Sequence, residues 1–232
     1  MTEVAVAGAL LAGGRSTRFG SDKLQARIPG GSERLAEHSA RALRESGCSP
    51  LAWLSPRLSG DAAAQGFEHL ADSAEGPLGA LALALMWAQT QKASHLLVVA
   101  GDLPLIRGRH LAYLKAVAAC GESHQAYCAL GPDGNPEPLC AVYPASWADE
   151  ARLRFADGRR AARALWLSEP HRVDLNAAPS SRFTSAPNRS PEVTVSVTVP
   201  SEGRVTIHPC FNLNDQEDWE QLQKWSKEGE LP

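Results

Sequence analysis

The chain has 232 residues, 44% of them hydrophobic, with 23 Lys and Arg against 26 Asp and Glu for a formal charge of −3. That length can bury a full core, and it favours one α/β domain carrying an insertion over two independent domains. A slightly acidic surface has no general attraction for nucleic acid or an anionic membrane, so anionic ligands must be held by local cation clusters, which points to a small-molecule partner.

Residue types that carry other chemistries are present without the required spacing. The five cysteines, Cys48, Cys120, Cys128, Cys140 and Cys210, are odd in number, scattered and form no C-x-x-C pair, so they read as thiols of a reducing compartment. The seven histidines form no H-E-x-x-H or other zinc-ligand spacing, and no G-x-S-x-G turn marks a Ser-His-Asp hydrolase. The apolar N-terminal stretch lacks a basic leader, carries Glu3 and runs into Gly-Gly and charge, so it reads as a strand and the protein as cytoplasmic.

In chain order, the first apolar run, Val4 to Ala12, suits a buried parallel strand. It opens directly into a glycine-rich turn that carries Arg15, Arg18 and Lys23 within nine residues. Gly13 and Gly14 lack the Cβ that would hold backbone N–H groups away from phosphate oxygens, and the cations neutralise what the amides cradle. This is a receptor for a polyphosphate. It is neither a P-loop, because Ser21 and Asp22 separate Gly20 from Lys23, nor a G-x-G-x-x-G dinucleotide turn. A basic surface turn is the competing structural reading.

Ser32 then precedes Leu35, Ser39, Ala42 and Leu43 at helical spacing, and Gly47 stops that helix. Strands are expected at Leu51 to Leu54, at Phe67 to Ala71 and, most clearly, at His95 to Ala100, where Leu-Leu-Val-Val is continuously apolar. Pro77 sits at a first helical turn ahead of a segment that is apolar on most sides and therefore deeply packed. Strand and helix alternate to about residue 120, which predicts a doubly wound, mostly parallel sheet with helices on both faces. Ligands in such sheets gather at the carboxyl ends of the strands, where the motifs of this half also fall.

From Ala126 the pattern loosens. Two short strands, Tyr127 to Leu130 and Leu139 to Tyr143, flank a Gly-Pro-Asp-Gly-Asn-Pro turn, and helices are expected near Trp147 to Phe155 and Arg159 to Leu167. Residues 176 to 191 read as an exposed loop, and the following β-branched runs around Pro200 to Gly203 suggest an edge hairpin, making 176–208 an insertion. The last helix carries Trp219, Leu222 and Trp225 on one face, a stripe that reads as core, with Asn214 as its N-cap. One domain spans 1–232, with a nucleotide-binding half at 1–120 and an acceptor half at 121–232.

Asp102 follows a buried strand and precedes Leu103-Pro104, so its carboxylate sits beside the loop that would hold phosphates. Two anionic groups so close call for a hard divalent cation, and Mg²⁺ accepts one or two carboxylates plus phosphate oxygens. An Asp capping the next turn is the alternative.

The string LAGGRSTRFGSDK from Leu11 to Lys23 resembles the signature of nucleotidyltransferases that activate a phosphorylated small molecule with an NTP, and more narrowly the molybdenum cofactor guanylyltransferases of MobA type. The resemblance covers most of the chain outside about 176–208 and implies a nucleotide-diphospho-sugar-transferase-like fold. It also implies transfer of GMP from GTP to molybdopterin, with Mg²⁺ on Asp102, in the family's GD-x-P element. By the same resemblance Leu11, Ala12, Gly13, Gly14, Arg15, Lys23, Asp72 and Asp102 contact the nucleotide, and Arg18, Lys23 and Asp102 are catalytic, Arg18 orienting the nucleophile.

On the acceptor side the resemblance implies Gly76, in a GPL segment, Arg159 beside PLCAVYP and DGRRAAR, and Asn212 and Asn214 of the N-x-N element. Gly79-Ala80 stands where the family has Ala-Gly, and Leu54 or Ser55 stands at its polar base-selecting position. Read without the resemblance, Asp72 is a turn former, Arg159, Arg160 and Arg163 are a solvated helix face, and Asn214 is a cap. The implied partners are GTP and molybdopterin, with transient contact to other cofactor-biosynthesis proteins or acceptor molybdoenzymes. The competing functions are a cytidylyltransferase on the same pterin, another small-molecule nucleotidyltransferase, and a non-catalytic carrier of the same fold. A dinucleotide oxidoreductase is disfavoured by the missing fingerprint.

Overall fold

The computed structural model describes residues 5–13, 23–57, 65–166, 169–177, 208–211, 213 and 216–228. In chain order they form β1 (Val6–Leu11), α1 (Leu35–Glu45), β2 (Leu51–Ser55), β3 (Glu68–Ala71), α2 (Pro77–Thr90) and β4 (His95–Ala100). There follow α3 (Gly108–Cys120), β5 (Tyr127–Leu130), β6 (Pro136–Pro144), α4 (Ala148–Ala156), β7 (His171–Val173) and α5 (Gln216–Lys227). The strands make one seven-stranded sheet in the order β3-β2-β1-β4-β6-β5-β7. From β3 to β4 all pairs are parallel; β6 is antiparallel to both β4 and β5, and β7 is parallel to β5.

Successive residues of a strand face opposite sides of a sheet, and the central strands β1 and β4 are buried at every position, so both sides are covered there. Val6 and Leu10 of β1 with Leu97 and Val99 of β4 pack under α1 and α3 through Ala36, Ala40, Leu43, Leu111 and Leu114. The alternate residues, Ala7, Ala9, Leu11, Leu96 and Val98, pack under α2 and α4. Helix α2 starts at Pro77, whose missing N–H costs nothing in a first turn, and it buries eight of its fourteen residues. The doubly wound sheet read from the sequence is therefore the one formed.

A third, smaller apolar cluster joins distant parts of the chain. Leu35, Leu105, Leu213 and Leu222 are buried together, with Ile28, Phe211, Trp219 and Trp225 half-buried around them. The tryptophan stripe of α5 is thus core, and the Phe211 and Trp225 rings meet edge to face at 5.0 Å. Beside this cluster Cys140 of β6 and Cys210 are buried together, and the hydrogen bond from Cys140 holds the Cys210 thiol below its ordinary range.

Three local expectations change, and one strand is added. The segment from Arg159 forms no α-helix beyond a single 3₁₀ turn at Ala162–Leu165, because the Arg160 carbonyl accepts from the N–H of Leu78 at the start of α2 (2.9 Å) instead of serving an i+4 donor of its own. Strand β6 is longer than expected, and β7 escaped notice. Ser32 does not cap α1: the N-cap is Arg34, whose N–H donates to the Glu37 carboxylate at 2.8 Å. The expected hairpin about Pro200 to Gly203, the loop beyond Ala177 and the Asn214 cap lie outside the described residues.

Candidate active site

The carboxyl ends of β1 to β4 form one crest, linked by backbone bonds just past the strands. The N–H of Ala12 donates to the Leu54 carbonyl (2.8 Å), that of Gly101 to the Leu11 carbonyl (3.0 Å), and that of Asp72 to the Ser55 carbonyl (3.1 Å). These bonds put residues 12–13, 72 and 101–102, which begin three separate loops, side by side. Leu11 itself is buried among the residues under α2, so only its backbone lies at the crest.

At Gly13 the crest leaves no room for a side chain. A Cβ there would lie 2.7 Å from Asp72 Oδ2, so the bare backbone of the loop and the Asp72 carboxylate are in contact. Burial pushes the Asp72 carboxyl up from its ordinary range, against a hydrogen bond from the backbone of Ala74 and with some repulsion from Glu75.

On the other side of β1, Lys23 closes the loop. Its Nζ donates to Asp102 Oδ2 at 2.6 Å and to the Leu213 carbonyl at 2.7 Å. The N–H of Leu213 in turn donates to the Asp102 carbonyl at 3.3 Å. Lys23 and Asp102, read from separate motifs, are an ion pair whose side chains are only 18% and 16% exposed. The second carboxylate oxygen, Asp102 Oδ1, is buried without a hydrogen-bond partner. A buried anionic oxygen with nothing to satisfy it is costly, and it suits a hard cation. Among the described residues no group of three or more His, Cys, Asp or Glu could cage a metal. The donor set therefore fits an ion that takes one carboxylate and completes its shell with phosphate and water oxygens, as Mg²⁺ does.

Sequence reasoning missed one neighbour of this pair. The antiparallel ladder of β4 and β6 ends at Val99 and Cys140, and beyond it Glu137 of β6 lies close enough to Asp102 for their charges to interact. The Glu137 carboxyl is pushed up, by burial first and also by the charge of Asp102, while it accepts from the N–H of Leu139 (3.3 Å). Only the pairing register reveals this.

The Gly76-Pro77-Leu78 segment and the Arg159-Arg160 stretch meet, and the contact is structural. Gly76 has φ +111, and a Cβ there would sit 3.1 Å from the Arg160 Cβ and 3.2 Å from its carbonyl oxygen. The Arg160 guanidinium lies over the Phe155 ring (4.4 Å) and reaches Glu75 at 3.8 Å. The glycine is thus required by Arg160 before any ligand is considered. Arg159 beside it is exposed. Gly14, Arg15, Arg18, Asn212 and Asn214 lie outside the described residues. No helix among the described residues is long and apolar enough to cross a membrane.

With this geometry the chain can be set beside known proteins. A probable molybdenum cofactor guanylyltransferase of Opitutus terrae is 34% identical over 158 residues, 67% of this chain and 75% of that protein. Another of Pyrococcus furiosus is 36% identical over 151 residues, 61% of this chain and 69% of that protein. The crystal structure of molybdopterin-guanine dinucleotide biosynthesis protein A from Archaeoglobus fulgidus shares the fold at a TM-score of 0.62 and 19% identity, covering 95% of this chain and 98% of that one. The sequence model of the MobA-like NTP transferase domain matches residues 8–173, which run from within β1 to the end of β7 and include Lys23 and Asp102. The chain belongs to the MobA-like NTP transferase family.

Proposed function

We propose that this chain transfers GMP from GTP to the terminal phosphate of molybdopterin, with or without bound molybdenum, and releases pyrophosphate. The observation that carries the reading is the Lys23–Asp102 pair at the crest beside Gly13, in a chain whose similar relatives are named for this activity. The nucleophile is already an anion, so no covalent intermediate on the protein is needed. Catalysis consists of alignment and charge compensation.

The amides of Gly13 and Gly14, with Arg15 and Lys23, take the β- and γ-phosphates, the leaving group of an in-line displacement at the α-phosphorus. Arg18 orients the acceptor phosphate, and Asp72 holds the nucleoside side of the loop. Asp102 would hold Mg²⁺ through Oδ1, where the ion supplies charge neutralisation between the acceptor phosphate and the nucleotide. Gly76, Arg159, Asn212 and Asn214 form the acceptor wall.

Base choice has little side-chain support at the second strand. Leu54 is buried, and the Ser55 hydroxyl donates to the Arg57 carbonyl at 2.7 Å with His69 Nε2 at 3.2 Å. Selection of guanine then falls to backbone groups near Leu11 and β2, which is why a cytidylyltransferase stands as the second reading. The test is pyrophosphate release with molybdopterin as acceptor, comparing GTP with CTP. Preference for GTP supports the proposal, preference for CTP converts it to the second reading, and release with neither overturns both.

A further inference from the structure

Lys23 is engaged in a way that a phosphate ligand alone does not explain. Its ammonium is bonded to the carboxylate that would carry the metal and to a backbone carbonyl of the C-terminal segment, 79 and 190 residues away. Both partners are firmly placed: Asp102 by the last turn of the β4 crest, Leu213 by its burial with Leu35, Leu105 and Leu222. A divalent ion at Asp102 would stand beside that ammonium in a sheltered site. Two cations on one carboxylate repel, and water screens the repulsion poorly where the side chains are more than four-fifths buried.

We propose that Lys23 and the divalent ion are alternative partners of Asp102, so that the ion enters together with the triphosphate and not ahead of it. The proposal rests on the nucleotidyl-transfer reading above. A triphosphate brings the anionic oxygens that resolve the conflict. It lets Lys23 exchange its carboxylate for phosphate, while the ion takes Asp102 and bridges to the same ligand. The Leu213 N–H keeps its bond to the Asp102 carbonyl in either arrangement, so the C-terminal segment stays docked while the lysine moves. Lys23 therefore makes the site select the metal–nucleotide complex over the bare metal.

Mn²⁺ titration followed by electron paramagnetic resonance, with and without GTP, reads this directly on the full chain. Lys23→Met should bind Mn²⁺ alone about tenfold more tightly than the parent, since one cation beside a carboxylate shifts such equilibria by a factor of ten or more. The same variant should bind Mn²⁺–GTP about tenfold more weakly, because it lacks a phosphate partner. Lys23→Arg, which keeps the charge, should leave Mn²⁺ binding without nucleotide at the parent level. The gain in Lys23→Met should vanish in Lys23→Met/Asp102→Asn. The proposal falls if Lys23→Met binds Mn²⁺ alone no more tightly than the parent, or if the gain survives loss of the Asp102 carboxylate. A parent protein that binds no Mn²⁺–GTP removes instead the nucleotidyl-transfer reading, which the nucleotide-free titrations leave untouched.

Discussion

The two sides of the sheet reach the site by different routes. From β3 to β4, strands run in parallel and each hands its neighbour a backbone bond just past its end, so the crest is placed by main chain alone. From β6 to β7 the direction reverses, the β5–β6 ladder slips at Cys128 and Ala129, and the wall is assembled by lateral contacts such as Gly76 against Arg160. The first arrangement tolerates side-chain change everywhere except where a ligand or a neighbour approaches. The second depends on remote segments fitting one another, and so does the docking of α5.

The sharpest test of the crest is Asp102→Asn, which keeps shape and removes charge. Pyrophosphate release should fall by about 10³-fold, the scale of losing a charge-stabilising group in a sheltered site. Activity within tenfold of the parent would detach Asp102 from the chemistry. Lateral assembly is tested by Leu222→Ala in α5: Leu222 is fully buried, and its truncation should cost about 2–5 kcal/mol in denaturant unfolding. A cost below about 1 kcal/mol would show that α5 is an accessory and not part of the body.

Much of the crest can be read locally. Strand β4 is found at the residues expected, because five consecutive apolar residues after His95, followed by a turn, are too short a run for a helix, and Pro77 announces α2. Lys23 and Asp102 each belong to a short motif, although no local pattern states that they touch. The segments beyond β4 resist the same approach. Strand β7 has three residues, two of them exposed, and leaves no periodic signal. The Ala- and Arg-rich run after Gly158 has helix propensity throughout, yet its carbonyl is drawn to the start of α2. Glu137 becomes a neighbour of Asp102 only once β6 is known to run antiparallel beside β4.

Smaller effects refine the contrast. Gly13→Ala would bring a methyl to 2.7 Å from Asp72 Oδ2, closer than carbon and oxygen approach, so the Asp72 carboxylate must swing aside, and KM for the nucleotide should rise about tenfold with a modest loss of stability. An unchanged KM would place the nucleotide away from Gly13. Asp72 supplies the smallest and most specific effect. Its folded-state carboxyl is raised above its unfolded value, so the native protein holds that proton more tightly; the associated stability is complete below the unfolded value and is lost as pH rises through the folded one. Asp72→Asn, which removes the buried charge, should therefore unfold at higher temperature than the parent at neutral pH. That advantage should shrink to nothing towards pH 3 while nucleotide affinity falls at every pH. A stability difference that does not vary with pH would assign Asp72 a packing role.

The bond from Lys23 to the Leu213 carbonyl spans 190 residues. On a ribosome adding 5–20 residues each second, the lysine waits on the order of 10–40 s for its second acceptor to be made. A nascent chain can hydrogen-bond its sheet in that time, yet Lys23 gains the Leu213 carbonyl only after every strand has been made. Chains cut short before Leu213 would leave the exit tunnel with all seven strands made and with Lys23 held to Asp102 but not to the C-terminal segment.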